Sequence, residues 1–215
     1  MPLIAVDGPA ASGKGTIARA LARHFGVPHL DTGALYRAVA LSAIRGGLAA
    51  EDVDADAAAI AARATALDFS LLEDPDLRSA ATGDLASRIS RLPEVRAALF
   101  GFQREFARQP GGAVLDGRDI GTVIAPMADA KLFVTAPPEI RARRRFLELR
   151  GRGLETSESQ VLQDILARDA RDMERASAPL QQAADADLLD TGNFDIEAAV
   201  QQALSLVLHR LDRTS

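Results

Sequence analysis

The chain has 215 residues, a formal net charge of −5 and no cysteine, which excludes a disulfide framework and thiol chemistry. The acidic balance argues against broad nucleic-acid affinity. No run approaches the ~18 apolar residues that span a membrane. Met1-Pro2-Leu3-Ile4 has neither the basic region nor the long apolar stretch of a signal peptide. The expected protein is therefore soluble and cytoplasmic. It is long enough for one full α/β core.

In chain order, the apolar run Leu3-Ile4-Ala5-Val6 predicts a buried strand. Gly8-Pro9-Ala10-Ala11-Ser12-Gly13-Lys14-Gly15-Thr16 then predicts a glycine loop running into a helix. Glycines without Cβ let backbone N–H groups close around phosphate oxygens, and a helix N-terminus adds its positive dipole end. The match to G-x-x-x-x-G-K-[ST] is Gly8…Gly13-Lys14, with Gly15 in the hydroxyl slot and Thr16 one residue later. The stretch is expected to bind the phosphates of ATP. Lys14 would reach the β- and γ-phosphates, and Thr16 is the nearest hydroxyl for Mg²⁺.

Ile17, Ala18, Leu21 and Phe25 have helical spacing, and Gly26 with Pro28 ends that helix. Val27 to Leu30 predicts a strand, and Ala34 to Ile44 a helix closed by Gly46-Gly47. Ala55 to Ala66 predicts a helix capped by Asp54. Leu67 to Leu72 predicts a strand, broken by Glu73-Asp74-Pro75-Asp76. Thr82–Arg91 and Glu94–Arg108 predict two helices either side of Pro93. Ala113-Val114-Leu115 predicts a strand ending at Asp116, and Lys131–Thr135 another, stopped by Pro137-Pro138. Helices follow at about Glu139–Leu149 and Ser157–Arg175, then the strand Leu188-Leu189 and the helix Ile196–Leu211.

Short apolar strands alternating with helices imply a parallel sheet flanked by helices, with ligands beyond the strand C-terminal ends. Asp7-Gly8, Asp31-Thr32, Asp116-Gly117 and Asp190-Thr191 all fall at such ends. Arg37 lies one helical turn in from Thr32 and Gly33, so it can reach the anion that the Thr32 hydroxyl touches. Asp116, after three apolar residues, resembles a carboxylate that holds Mg²⁺ through water. No glutamate follows it, which favours transfer to an acceptor over hydrolysis.

The chain has 23 arginines against two lysines, Lys14 and Lys131, and nine of those arginines fall between 141 and 175. Interspersed acids make much of that field a salt-bridged helix surface. Arg168, Arg171 and Arg175 share one helix face and could clamp a phosphoryl group in transfer. Arg150 and Arg152, flanked by Gly151 and Gly153, suggest a mobile lid tip at about 148–156 that covers ATP.

Lys14-Gly15-Thr16 resembles the nucleoside monophosphate kinases. More closely, the chain resembles the bacterial cytidylate kinases through several stretches. These are Asp7-Gly8-Pro9…Gly13-Lys14-Gly15-Thr16, Asp31-Thr32-Gly33-Ala34-Leu35-Tyr36-Arg37, Pro93-Glu94-Val95-Arg96 and Asp116-Gly117-Arg118-Asp119-Ile120-Gly121-Thr122. Arg168-Asp169-Ala170-Arg171-Asp172-Met173-Glu174-Arg175 with Pro179-Leu180 completes the set. The resemblance covers nearly the whole chain and implies a single P-loop kinase domain over 1–215.

It also implies residue roles. Ser87, Arg96 and Asp119 would face the cytosine and Asp172 the ribose. Arg37, Arg118 and Arg175 would take the acceptor phosphate, and Lys14 and the lid arginines would handle ATP. The catalytic group would be Lys14, Arg118, Arg168 and Arg175. Relatives carry a longer β-rich insertion before the Ala-Ser-x-x-Ser-x-x-Pro stretch. Here only Phe69 to Arg78 spans it, so a shortened acceptor-binding insertion is expected at about 67–108. The expected reaction is transfer from ATP to CMP or dCMP with Mg²⁺, by a monomer with no nucleic-acid or membrane partner. Other small-molecule kinases, acting on UMP or AMP, and a P-loop ATPase or switch are the alternatives.

Overall fold

Apolar residues recurring along Leu3–Asp7 make the strand that the sheet is built on. In the computed structural model, which describes residues 1–48 and 53–213, this strand is β1 and its last four residues are buried. Around it stand β2 (His29–Asp31), β3 (Ala113–Gly117), β4 (Ala130–Thr135) and β5 (Asp187–Asp190), in the order β2-β3-β1-β4-β5. The described pairs β1–β3, β1–β4 and β4–β5 are all parallel. A strand buried on both faces reads as a continuous apolar run, which is why Ile4-Ala5-Val6 and Val114-Leu115 show no alternation.

The chain divides into two compact units, Met1–Leu30 with Ala107–Ser215, and Asp31–Phe106. In the first, helices α1 (Lys14–Phe25) and α8 (Ile196–Asp212) cover the sheet with Ile17, Leu21, Ala203 and Val207, packed on Ile4, Val6, Leu132 and Val134. The isoleucine, leucine and valine side chains among them each contribute roughly 1.5–3 kcal/mol when fully buried. Helices α6 (Pro138–Gly151) and α7 (Glu158–Met173) pack through a separate cluster of Ala142, Val161 and Ile165, against which Ala11 also packs. β1 lies at the switch point of the strand order, where a parallel sheet opens a crevice beyond its strand ends.

The second unit holds α2 (Thr32–Arg45), α3 (Ala57–Thr65), α4 (Ala80–Ile89) and most of α5 (Pro93–Arg108). Two short 3₁₀ turns, Phe69–Glu73 and Pro75–Arg78, join α3 to α4. The strand expected over Leu67–Leu72 is therefore not formed. Asp68 accepts from the Ser70 N–H at 2.9 Å and Asp74 from the Asp76 N–H at 2.9 Å, so both carboxylates favour turns over an extended chain. Arg45 holds this segment to the end of α2 by ion pairs to Asp74 and Asp76 at 2.7 and 3.3 Å.

Other boundaries also move. The Asp54 carboxylate is taken by Arg91 at 2.6 Å instead of capping a helix, and α3 starts at Ala57 after Asp56. Helix α6 runs through Gly151, because the left-handed residue that ends it is Gly153 at φ +76°. The Gly153 and Leu154 N–H groups close back on Arg150 and Leu149 carbonyls at 2.9 and 3.1 Å. Helix α7 ends at Met173, so Arg175 lies beyond the helix that carries Arg168 and Arg171.

Candidate functional site

The loop Gly8–Thr16 leaves the C-terminal end of β1 and becomes α1. Gly8 has φ +153°, and a Cβ there would stand 2.0 Å from the Val134 carbonyl oxygen, so only glycine lets the chain turn. Helices α2, α4, α7 and α8 begin with an Asp or Ser side chain accepting from the first turn. Helix α1 does not. Its cap is Gly13 at φ 90°, with no side-chain cap bond and no acid in the first turn. A helix N-terminus carries a positive dipole end that favours anions. Lys14 Nζ donates to the Pro9 carbonyl at 3.2 Å, which lays the ammonium along the loop. Ser12 is fully buried within the loop.

Two carboxylates face this region from the sheet. Parallel register sets Asp116 level with Val6, and Gly117 level with Asp7. Asp116 is buried, receives His29 Nε2 at 2.7 Å, and has Oδ2 3.7 Å from where a Cβ on Gly15 would sit. Thr16 Oγ1 accepts from Arg19 at 3.4 Å. His29 belongs to no sequence motif; its partner is 87 positions away, beyond any local signal.

Asp7, which the sequence presents as a strand end and as the first residue of the glycine-loop stretch, organises the next segment. Its oxygens accept from the Ile120 and Gly121 N–H groups at 2.8 and 2.7 Å. Burial pushes its carboxyl up to about 7 against these two bonds, with the Asp119 charge adding to the rise and Lys14 opposing it. The segment is a single π turn, Ile120–Ile124, in which Val123 and Ile124 donate to the Asp119 carbonyl at 2.9 and 3.1 Å. Arg118 and Asp119 are thereby set at the mouth of β3.

Arg118 meets the end of α7. Its Nε donates to Asp172 Oδ2 at 2.7 Å, and Arg175 Nη2 bonds the other oxygen of the same carboxylate. Asp172 is fully buried. Burial alone would raise its pKa, but Arg118, Arg175 and Arg168 together hold it down to about 2. Burial likewise works against the Arg118 charge, and Asp172, Asp116 and Asp169 outweigh it, so its pKa is raised. Asp116, Arg118, Arg168, Asp169, Asp172 and Arg175 thus share one charge field in the first unit, while Lys14 and Asp119 act on Asp7. Arg150 and Arg152 do not join it. Arg150 lies over the Phe146 ring at 5.7 Å, and Arg152 pairs with Glu148 at 2.7 Å.

The second unit carries its own polar cluster. Asp31 accepts from the Ala34 N–H at 3.1 Å and starts α2 at Thr32, which is buried. Arg37 reaches across to α4, where its Nη1 lies 2.9 Å from the position of a Cβ on Gly83. One turn on, Ser87 is buried and its Oγ has no hydrogen-bond partner among the described residues. Arg96, also buried, donates from Nη1 to Tyr36 Oη at 3.4 Å and to the Ser90 carbonyl at 3.5 Å. Gly83 and Tyr36 add to the residues singled out from sequence. Gly83 carries no motif, and only the approach of Arg37 shows its use.

Three comparisons bear on this arrangement. The family model described as Cytidylate kinase matches residues 4–209. A Rhodopseudomonas palustris (strain HaA2) protein named "Cytidylate kinase" is 57% identical over 205 residues, covering 95% of each chain. One of the same name from Methylocella silvestris is 57% identical over 207 residues, covering 95% of this chain and 93% of that one. A solved structure of an uncharacterized protein from Eubacterium ventriosum shares the fold at TM-score 0.57 and 16% identity, covering 97% of this chain and 98% of that one. On the family match and these identities, the chain belongs to the cytidylate kinase family.

Proposed function

We propose that this protein transfers the γ-phosphoryl group of ATP to CMP or dCMP, giving ADP and CDP or dCDP. The observation that carries the reading is the buried Asp172 carboxylate, gripped by Arg118 and Arg175 with Arg168 close by. An enzyme that transfers a phosphoryl group between two phosphates has little covalent chemistry to do. It needs cations placed where charge spreads over the equatorial oxygens. The acceptor phosphate is already ionised, so no general base is required.

In this reading Gly8 to Thr16 cradles the ATP phosphates and Lys14 swings from the Pro9 carbonyl to the β- and γ-oxygens. Arg118, Arg168 and Arg175 stabilise the group in transfer, with Arg37 and Thr32 on the acceptor phosphate. Ser87, Arg96 and Asp119 read the base, and Asp172 takes the ribose while keeping its arginines in place. Cytosine offers an amino donor to the Asp119 carboxylate and acceptors to Arg96; the uncommitted Ser87 hydroxyl can donate or accept. Arg150 and Arg152, at the α6–α7 connection, would close over ATP as a lid, and residues 67–108 would form the shortened acceptor-binding insertion.

Mg²⁺ would arrive with the nucleotide, held by the Thr16 hydroxyl and through water by Asp116. The residues fit that role: Asp116 lies beside Gly15, whose missing side chain leaves room at the start of α1. Among the described residues no group of three or more His, Cys, Asp or Glu could hold a metal ion. The ion would supply charge neutralisation at the phosphate oxygens. No helix among the described residues is long and apolar enough to cross a membrane. We place the protein in the cytoplasm, where its nucleotide substrates are, as a monomer with no nucleic-acid partner.

The test is an ADP-release assay across CMP, dCMP, UMP, AMP and GMP. CMP and dCMP should support rapid turnover and the others little. Slow turnover that no monophosphate accelerates would identify an ATPase or switch instead.

A further inference from the structure

Two carbonyls of the Gly8–Thr16 loop are gripped by side chains from outside it. Arg141, buried in α6, donates from Nη1 to the Ala10 carbonyl at 3.2 Å. The same guanidinium meets Asp169 of α7 through Nη1 and Nη2 at 3.1 and 2.6 Å, and its Nε bonds the Ala136 carbonyl at 2.8 Å. Thr191, just past β5 and 2% exposed, lies with Oγ1 3.0 Å from the Ser12 carbonyl and 3.1 Å from that of Thr135. Arg144 donates to that hydroxyl at 2.9 Å and to the Thr191 carbonyl at 2.6 Å, while the Thr191 N–H bonds Thr135 at 2.8 Å.

A trans peptide is planar, so the N–H of one residue points opposite to the carbonyl before it. No cis peptide occurs among the described residues. Fixing the Ala10 carbonyl towards Arg141 therefore turns the Ala11 N–H away from Arg141. Fixing the Ser12 carbonyl towards Thr191 turns the Gly13 N–H away from Thr191. Ala11 follows the first pinned carbonyl at φ 58°, a left-handed conformation that a residue with a Cβ seldom adopts unless its surroundings impose it.

From this geometry we infer that Arg141 and Thr191 are positioning residues, which set the Ala11 and Gly13 amides to receive the phosphates of ATP. The inference rests on the phosphate-loop reading above and deepens it. Arg141 also joins the loop to α7, because its partner Asp169 lies between Arg168 and Arg171. One buried ion pair thereby sets the donor loop and the arginine helix in register.

The experiment compares Thr191→Val, Thr191→Ser and Arg141→Lys with the wild type. Binding of ATP, of inorganic tripolyphosphate and of CMP alone is measured by calorimetry, alongside thermal unfolding. Thr191→Val keeps the shape and removes the donor, so ATP and tripolyphosphate should bind about tenfold more weakly, the usual effect of one such bond. CMP affinity should not change, and Thr191→Ser should restore the loss. Arg141→Lys should act in the same direction; if it does not fold, the Thr191 pair decides. Wild-type ATP affinity in folded Thr191→Val would overturn the inference. So would an equal loss of CMP binding, or a Thr191→Ser loss as large as that of valine. A wild-type protein that binds neither ATP nor tripolyphosphate would overturn the phosphate-loop reading itself.

Discussion

Asp172 and Arg118, 54 positions apart in the chain, share a buried hydrogen bond of 2.7 Å from Nε to Oδ2. Arg175 takes the second carboxylate oxygen. Removing the carboxylate would leave two buried cations facing each other. Asp172→Ala should therefore destabilise the fold by about 3–5 kcal/mol, the usual cost of breaking a buried pair from one side. Denaturant unfolding measures it, and a loss under about 1 kcal/mol would mean that the pair contributes no more than one on the surface.

The same carboxylate sets an acid dependence. Its folded pKa of about 2 lies below the ordinary 3.8, because its three arginines outweigh the burial that would raise it. A depressed pKa gives stability that is fully present above the unfolded value and lost as pH falls through the folded one. The stability difference between wild type and Asp172→Asn should be level above about pH 4 and shrink towards pH 2. A difference constant over that range would show that Asp172 is not held ionised by its neighbours.

Lys14→Ala removes the ammonium that lies along the loop and donates to the Pro9 carbonyl at 3.2 Å. Stability should scarcely change, while kcat with CMP should fall by roughly 10²–10³, the scale of losing one electrostatic contact to the group in transfer. Single-turnover rates in a variant with a normal unfolding midpoint check this.

Gly83→Ala should separate stability from activity. Alanine in the middle of α4 favours the helix by about 0.5–1 kcal/mol. Its Cβ would come 2.9 Å from Arg37 Nη1, and the end of a flexible side chain can move away at small cost. We expect equal or greater stability with a raised KM for CMP and an unchanged KM for ATP. An unchanged KM for CMP would remove Arg37 from the acceptor site.

Asp119→Asn tests base reading. The amide can donate to a uracil carbonyl, whereas the carboxylate can only accept from the cytosine amino group. The kcat/KM preference for CMP over UMP should shrink by about 1–3 kcal/mol, chiefly through loss of CMP activity. An unchanged ratio would assign selection to Ser87 and Arg96 alone.

What the sequence determined by itself is what short range decides. Leu3-Ile4-Ala5-Val6, the glycine loop and the stripe from Ile17 to Phe25 specify strand, turn and helix within one stretch. Gly26 ends α1 at φ 64° as its position foretold. The family was legible for the same reason, since its motifs are contiguous runs. Tertiary structure decided the rest. Leu67–Leu72 has a strand's composition, but a strand needs a ladder partner supplied from far away, and local carboxylates made turns of it instead. Nothing near His29 announces Asp116, nothing near Arg141 announces Ala10 or Asp169, and Gly83 is silent until Arg37 lies over it. Such pairings depend on where the sheet and helices carry each side chain, and the energy of a buried contact appears only once the chain has brought its two ends together.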